Sequence, residues 1–222
     1  MLKSKKSKFK YERKSLLIRS ILVFISDILI ALAVVLNKTA SLGNDPVAVF
    51  YDGLHNCLNV SLGLATHITN VALLICLYIF SRKYINIGTF LYTLPLGFII
   101  SLVDKFILSL KIPDNLTISI LESSLGCLSL FLGLALFISS NIGVDVWTGL
   151  SLFLKDKFKK DFKFVKILVD IVTATTGYLM GGKIGLVTII AAILGGPLIQ
   201  KFTRVTDKLI LKITEKIQFK GE

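Results

Sequence analysis

The feature that most constrains this chain is a series of long apolar runs, each bounded by polar or charged residues. Apolar residues fill 54% of the 222 positions, above the roughly 45–50% of an ordinary soluble domain. A run of about 20 apolar residues can cross a bilayer as a helix. We predict six crossing helices, leaving no room for a separate soluble domain, over residues 20–38, 62–80, 85–108, 116–139, 164–180 and 184–199.

The net charge of +12 is unevenly distributed. Lys and Arg cluster within residues 3–19, 155–166 and 201–220, always beside an apolar run. Cytoplasmic ends of membrane helices are enriched in these residues, and such clusters also contact anionic lipid headgroups. This explanation is simpler than nucleic-acid binding. We therefore expect a protein embedded in the lipid bilayer, with both termini cytoplasmic and no nucleic-acid partner.

Two short polar breaks follow the first and fourth predicted spans. The first runs from Ser41 to Asp52, and the second runs from Asn141 to Leu150. Each leads into an amphipathic piece too short to cross, over residues 45–60 and 144–154. Such a piece either lies at the membrane surface or enters as a re-entrant half-helix, which must pack on protein or line water. The sequence leaves both arrangements open.

A shift of about one hundred residues aligns the two halves of the chain. The aligned polar and glycine pairs are Gly43 with Gly143, Asp45 with Asp145, Asn70 with Asp170, Thr89 with Thr188, and Gly97 with Gly196. Three spans per half, with every strong basic cluster cytoplasmic, require the halves to be inverted. We predict an all-α membrane protein of two inverted three-helix repeats, residues 20–111 and 112–200. A basic arm (residues 1–19) precedes them and an amphipathic cytoplasmic tail (residues 201–222) follows.

Two further sequence features bear on processing and redox chemistry. Ala31-Leu32-Ala33 has the small residues of a signal-peptide cleavage site. We expect no cleavage, because the apolar run continues to Leu36 and belongs to the repeat. Three cysteines lie in or beside apolar segments without a CxxC pair. We expect free thiols, no metal site and no cofactor.

The polar breaks carry a family resemblance. Leu42-Gly43-Asn44-Asp45-Pro46 with Gly88-Thr89, and Ile142 to Trp147 with Gly195-Gly196-Pro197, resemble the YczE-like (YczE/YyaS/YitT) bacterial membrane proteins. The resemblance covers about residues 20–205. Val47 replaces the aromatic residue of the turn in the first half, and Val146 replaces the proline in the second. The resemblance implies a multi-spanning protein of the bacterial inner membrane and supplies no substrate.

The polar residues of the two breaks are the first candidate binding residues. Asp45 and Asp145 are suited to bind a cation or the polar end of a substrate, or to cap a helix. Asp52 and His55 are three residues apart on one helical face. They form either a proton relay or a surface that faces water.

Carboxylates inside the predicted spans are the second group of candidates. Asp170 aligns with Asn70 at mid-span, and Lys166 lies one helical turn before it as a structural partner. We select Asp170 as the main functional residue, since an intramembrane carboxylate needs a partner. Asp27 in the first span either faces protein or water, or lies close enough to the interface to be hydrated.

A third group of residues is expected to be structural. Glycines permit sharp turns and close packing, and Trp147 is interpreted as an interfacial anchor rather than a stacking surface. The positions selected as turn or structural residues are Gly43, Pro46, Gly143, Trp147, Gly88, Thr89, Gly196 and Pro197.

These patterns indicate a function class. The sequence lacks a Walker loop, GxSxG, HExxH and a dinucleotide fingerprint, so we predict no enzyme. Inverted repeats with a broken element in each half are typical of secondary transporters. We predict a small transporter or permease for a small polar solute, coupled to protons or ions through Asp170 and the two turns. The alternatives are a non-transporting membrane protein that binds or regulates a partner, and an embedded enzyme acting on lipid. A homo-oligomer is compatible with the sequence.

Overall fold

Every regular element in the described part of the chain is helical. The computed structural model describes the backbone of residues 13–218 and the side chains of residues 16–210, so most of the basic arm and the end of the tail lie outside it. A short 3-10 turn, Arg82–Tyr84, separates the third and fourth helices. The α-helices are α1 Arg13–Ala40, α2 Pro46–Leu58, α3 Leu62–Phe80, α4 Ile87–Ser109, α5 Leu116–Ser140, α6 Val146–Phe158, α7 Phe162–Leu179 and α8 Leu186–Gln218.

Five of these helices are long and apolar enough to cross a membrane, namely α1, α3, α4, α5 and α8. The all-α membrane fold is therefore confirmed, but the expected count of six spans is not reached. The helix that falls short is α7, which has 18 residues and carries Lys163, Lys166 and Asp170 on its first half.

The centre of the bundle is the antiparallel pair α1 and α5. Near one end of the pair, Arg19 Nη1 donates to the carbonyl oxygen of Ser140 at 2.5 Å. Two helical turns further along, Ser26 Oγ donates to the carbonyl oxygen of Gly133 at 2.8 Å. Helix α4 packs on the other side of α1, and α8 packs on α5. The five long helices thus pack in the order α8, α5, α1, α4 and α3. The short helices α2 and α6 rest on α3, and α7 packs on both of them.

Glycines bring two further helix pairs into close backbone contact. A Cβ on Gly97 of α4 would lie 2.5 Å from the carbonyl oxygen of Gly63 on α3. A Cβ on Gly53 of α2 would lie 2.2 Å from the carbonyl oxygen of Gly177 on α7. Neither position has room for a larger side chain, so α3 is tied to α4 and α2 is tied to α7.

The outer faces of the helices expose large apolar side chains. Phe24 is 54% exposed, Phe98 is 66% exposed and Ile171 is 57% exposed. Large apolar side chains exposed around a bundle mark a surface that contacts lipid. The exposed Ile171 lies on α7, so this helix presents the same kind of surface as the five longer ones.

The helix ends differ clearly from the predicted ends in three places. Helix α1 begins at Arg13 rather than near Ser20, so it takes in the end of the predicted basic arm. The sequence predicts a break near Gln200 between the last span and a separate tail helix, whereas α8 is one continuous helix. The lysines of the tail are good helix formers, so nothing in the backbone ends the helix there. The second short piece, predicted to end at residue 154, continues to Phe158 and takes in Lys155 and Lys157.

Candidate functional site

The first polar break folds back into the protein before α2 begins. Ser41 and Gly43 have positive φ angles of 57° and 96°, which turn the chain sharply after α1. Asn44 Nδ2 then donates to the carbonyl oxygen of Val34, 3.0 Å away and well inside α1. Asp45 caps α2, with Oδ2 accepting from the amides of Val47 at 3.1 Å and of Ala48 at 3.4 Å. The N-terminus of α2 is therefore inside the protein rather than at its surface.

The second break has the same construction. Asn141 has a φ of 52°, and Asp145 Oδ1 accepts from the amides of Trp147 and Thr148, both at 3.0 Å. Helices α2 and α6 each contain 13 residues. The helix-cap interpretation of Asp45 and Asp145 is thus confirmed, and each carboxylate keeps one oxygen without a hydrogen bond among the described residues.

The two breaks are held by matching contacts to the opposite half of the chain. The amide of Gly88 donates to the carbonyl oxygen of Ile142 at 3.0 Å, and the amide of Val187 donates to that of Leu42 at 3.1 Å. Thr89 Oγ1 also donates to the carbonyl oxygen of Val144 at 2.7 Å. The start of α4 thus fixes the second break, and the start of α8 fixes the first.

The glycines of the breaks are required by these contacts. A Cβ on Gly43 would lie 2.4 Å from the amide nitrogen of Gly185, and one on Gly143 would lie 2.8 Å from that of Thr89. Gly88 faces Gly143 from α4 with equally little space. The structural roles expected for Gly43, Gly88, Thr89 and Gly143 therefore have one cause. The backbone of each break lies directly against the start of a helix from the other half of the chain.

Both caps line one cavity in the middle of the bundle, which we call the central cavity. Its volume is about 530 Å³. Asp45 and Asp145 enter it from the two breaks, and Lys166 enters it from α7. Its remaining wall is mainly apolar and aromatic, and includes Ile30, Val34, Val47, Tyr51, Tyr92, Leu96, Leu130, Leu134, Phe137, Trp147, Phe162 and Ile199.

A buried chain of hydrogen bonds forms one wall of the central cavity. Trp147 Nε1 donates to the hydroxyl oxygen of Tyr51 at 2.8 Å, and Tyr51 donates to Asn70 Oδ1 at 2.7 Å. Asn70 is fully buried and Trp147 is 9% exposed. The interpretation of Trp147 as an interfacial anchor is therefore wrong, because its ring is held inside the bundle. Tyr51 and Tyr92 were not among the residues selected from the sequence, since an isolated tyrosine in an apolar run carries no distinctive pattern.

Asp170 lies outside the central cavity. Its Oδ1 accepts a short hydrogen bond from Lys166, the partner expected one turn earlier on α7. Asp170 lines a second space of about 560 Å³ between α7, α8 and α5, which we call the α7–α8 gap. Asp45 and Lys166 line both spaces, so the gap adjoins the central cavity. Gly196 and Pro197 face this gap from α8.

The remaining candidates lie at the far end of α2. Asp52 Oδ2 accepts from the amide of Lys183 at 3.2 Å, and His55 Nδ1 contacts the carbonyl oxygen of Val60. Each side chain thus stabilises a turn, and no hydrogen bond joins the two within the described residues. Pro46 occupies the first turn of α2, where its missing amide hydrogen costs nothing.

Asp27, for which the sequence leaves open a position facing protein or water and a hydrated position near the interface, faces protein. It is fully buried on α1, and neither carboxylate oxygen has a hydrogen-bond partner in the described region. Ile30 and Val34, three and seven residues further on, line the central cavity from the same helical face. The helical spacing of Asp27, Ile30 and Val34 is the sequence signal that points to Asp27, but it can be interpreted only when the position of the cavity is known.

Metal-binding geometry is not found among the side chains of residues 16–210, where no group of three or more His, Cys, Asp or Glu could hold an ion. Cys57, Cys76 and Cys127 are free thiols, as expected.

Comparison with known proteins places the chain in a family. It is 26% identical over 192 residues to the uncharacterized membrane protein YczE of Bacillus subtilis, covering 86% of this chain and 87% of that protein. An uncharacterized protein of Haemophilus influenzae is 22% identical over 170 residues, 77% of this chain and 76% of its own length. No solved structure gives a significant match. The YczE-like resemblance is confirmed, and because a family model matches residues 17–204, the protein belongs to the family of unknown function DUF6198.

Proposed function

We propose that this membrane protein is a small secondary transporter in which two inverted halves expose the central cavity alternately to the two sides of the membrane. The observation that carries the proposal is the pairing of Asp45 and Asp145. They cap the inner ends of two equivalent half-helices, one from each half, and both line the same cavity. Discontinuous helices that meet at a central site are typical of transporters built from inverted repeats.

Side-chain contacts at the helix ends support six crossings, with α7 as the sixth. Lys183, after α7, donates from Nζ to Ser41 Oγ after α1 at 3.0 Å. Lys83, before α4, pairs with Asp156 at the end of α6, which directly precedes α7. Helix α7 therefore runs from the α6 side of the bundle to the end of α1. Its 18 residues would extend about 27 Å, close to the roughly 30 Å of a hydrocarbon core.

A difference between the halves supports alternating access. Gly97 contacts Gly63 so closely that α3 and α4 have no space between them. The equivalent residue in the second half is Gly196, and a Cβ there would meet nothing within 4 Å. The first half is closed and the second is open at the α7–α8 gap. In a protein whose halves exchange conformations, the alternative state has α7 against α8 and α3 apart from α4.

The open gap faces the side that carries the basic cluster. Phe162, Lys163 and Lys166 line it from the first turns of α7, directly after the lysines of residues 155–160. Under the positive-inside rule that side is cytoplasmic, so this conformation would be the inward-open one. The proposed location is the cytoplasmic membrane of a bacterium, with both termini inside and the basic segments against anionic headgroups.

Two measurements test the proposal. The first is uptake by proteoliposomes of a panel of radiolabelled amines, amino acids, sugars and carboxylates, with Asp145→Asn as the disabled control. Uptake of one class, lost in Asp145→Asn, is the expected result. The second is maleimide labelling of Thr66→Cys, buried in the closed half, and of Ile167→Cys in the gap. A panel without uptake, together with a Thr66→Cys thiol that never reacts, contradicts alternating access.

A further inference from the structure

We infer that the central cavity takes a small organic cation, an ammonium or guanidinium group attached to an apolar body. The inference rests on the proposed function, since it names the class of solute that the transporter would carry. It follows from three properties of the cavity: its uncompensated negative charge, its aromatic wall and its size.

The charges around the cavity leave an excess of carboxylate. Asp45 and Asp145 each commit one oxygen to capping a half-helix, and the second oxygen of each takes no hydrogen bond within the described residues. The positive group in the lining is Lys166, and its ammonium is already paired with Asp170. The cavity lining thus holds two carboxylates and one ammonium, and that ammonium is paired with a third carboxylate outside the cavity. A cation entering the cavity meets two carboxylates that need a partner.

The aromatic wall suits the rest of such a solute. Tyr51 and Trp147 have ring centroids 6.4 Å apart, and Tyr92 and Phe137 have centroids 4.7 Å apart. All four rings line the cavity. Cations bind over aromatic faces within about 6 Å, most strongly over Trp and where water is excluded. The hydrogen bonds that fix the Trp147 indole and the Tyr51 hydroxyl hold both rings in place without a ligand.

The same features argue against other classes of solute. A bare metal ion is disfavoured because the side chains of residues 16–210 present no cluster of three or more ligating carboxylate, His or Cys groups. An anion would face Asp45 and Asp145, whose carboxylates already occupy the positive ends of the two half-helices. A sugar needs many hydrogen-bonding groups, whereas the wall here is mainly apolar. A cavity of about 530 Å³ lies within the roughly 300–1,000 Å³ of small-molecule sites.

The chain supplies its own probe of this site. Trp147 is the single tryptophan of the sequence, so fluorescence excited selectively in tryptophan, at a wavelength where the tyrosines do not absorb, reports on the cavity alone. Purified full-length protein in detergent is titrated with phenethylamine, with phenylacetate as an anion of similar shape and with benzyl alcohol as a neutral analogue. We expect saturable quenching or a spectral shift with phenethylamine, at an affinity at least tenfold tighter than for either of the other two.

Two matched variants separate charge from structure. Asp145→Asn keeps a good helix-capping residue but removes one charge, and should weaken phenethylamine binding by about tenfold or more, as expected for a lost hydrogen bond to a charged group. Asp104→Asn removes a carboxylate that pairs with Lys38 at 3.5 Å, away from the cavity, and should leave binding unchanged.

Each outcome bears on a different claim. Preference for phenylacetate, equal binding of all three probes, no binding of phenethylamine, or equal losses in both variants would overturn the cation assignment. Binding of phenethylamine without proteoliposome uptake of any amine would leave the assignment in place and overturn the transport proposal. Uptake restricted to sugars or carboxylates would support the transport proposal and overturn the cation assignment.

Discussion

Replacing Gly97 and Gly196 separately by alanine tests the difference between the two halves of the bundle. The two residues occupy equivalent positions in α4 and α8. A Cβ on Gly97 would lie 2.5 Å from the Gly63 carbonyl oxygen and 2.7 Å from His67 Cβ, whereas a Cβ on Gly196 has no neighbour within 4 Å. To restore a normal separation of about 3.5 Å, α3 and α4 would have to move apart by about 1 Å.

The expected free energies follow from this geometry. Alanine favours a helix interior over glycine by about 1 kcal/mol. At Gly196 part of this gain is lost, because Pro197 crowds a Cβ on the preceding helical residue. Overpacking a close contact costs about 1–3 kcal/mol, and this cost applies only to Gly97→Ala. The variant Gly196→Ala should therefore be up to about 1 kcal/mol more stable than the unmodified protein. Gly97→Ala should be less stable than Gly196→Ala by up to about 3 kcal/mol.

The assay is reversible unfolding of both variants in the same detergent, followed by circular dichroism. Both variants add one methyl group, so differences in detergent binding cancel in the comparison. The proline after Gly196 lowers only the stability of Gly196→Ala, so it can narrow the expected difference but cannot create it. Equal stabilities for Gly97→Ala and Gly196→Ala, or a larger loss for Gly196→Ala, would refute the claim that α3 and α4 are closed while α7 and α8 are apart.

Three further predictions concern individual contacts. Tyr51→Phe removes the middle of the buried hydrogen-bond chain and leaves Trp147 Nε1 and Asn70 Oδ1 without that partner, which should cost about 1–3 kcal/mol of unfolding free energy. Tyr78→Phe, at a position 50% exposed, should cost almost nothing; equal melting temperatures of the two variants would contradict the hydrogen-bond chain. Asp170→Asn should change stability by no more than about 0.5 kcal/mol, because an i,i+4 pair with side chains 28–34% exposed is weak; a loss several times larger in chemical unfolding would assign it a deeper structural role. Hydrogen bonding from Lys83 lowers the pKa of Asp156, so this contact is present at neutral pH and is lost as the pH falls through that lowered pKa. The protection of the amides of residues 82–84 against hydrogen exchange, relative to unstructured amides at the same pH, should fall at acidic pH. Asp156→Asn should show the low protection already at neutral pH; protection unaffected by the variant would show that the contact does not hold the turn.

The repeating elements could be predicted from sequence because local chemistry determines them. Gly43 and Asp45, and their counterparts Gly143 and Asp145, combine a residue that tolerates positive φ with a good helix cap. That combination ends one helix and starts the next whatever surrounds it. The helix bounds predicted around both breaks therefore lie within a few residues of those observed.

The packing between the helices could not be predicted in this way. Gly97 and Gly196 look equivalent in the sequence, yet one is in tight contact and the other is not. Trp147 was assigned to the interface because tryptophan is common there, and only the position of Tyr51 on another helix explains its burial. The main candidate, Asp170, already has a partner in Lys166, whereas Asp27 has none among the described side chains. These contacts join residues that are distant in the chain, and the periodicity of a single helix gives no information about them.

The central claim, that two half-helices enter the membrane from opposite faces, is tested most directly at their outer ends. Cys57 near the end of α2 is an exposed free thiol, and Lys157 occupies the equivalent exposed position of α6. One variant keeps Cys57 and replaces the other two cysteines by serine, and a second replaces all three and adds Lys157→Cys. Both are treated in intact cells with a membrane-impermeant maleimide. The account predicts labelling of Cys57 from outside and of the Lys157→Cys thiol only after permeabilisation; labelling of both thiols from the same side would contradict it.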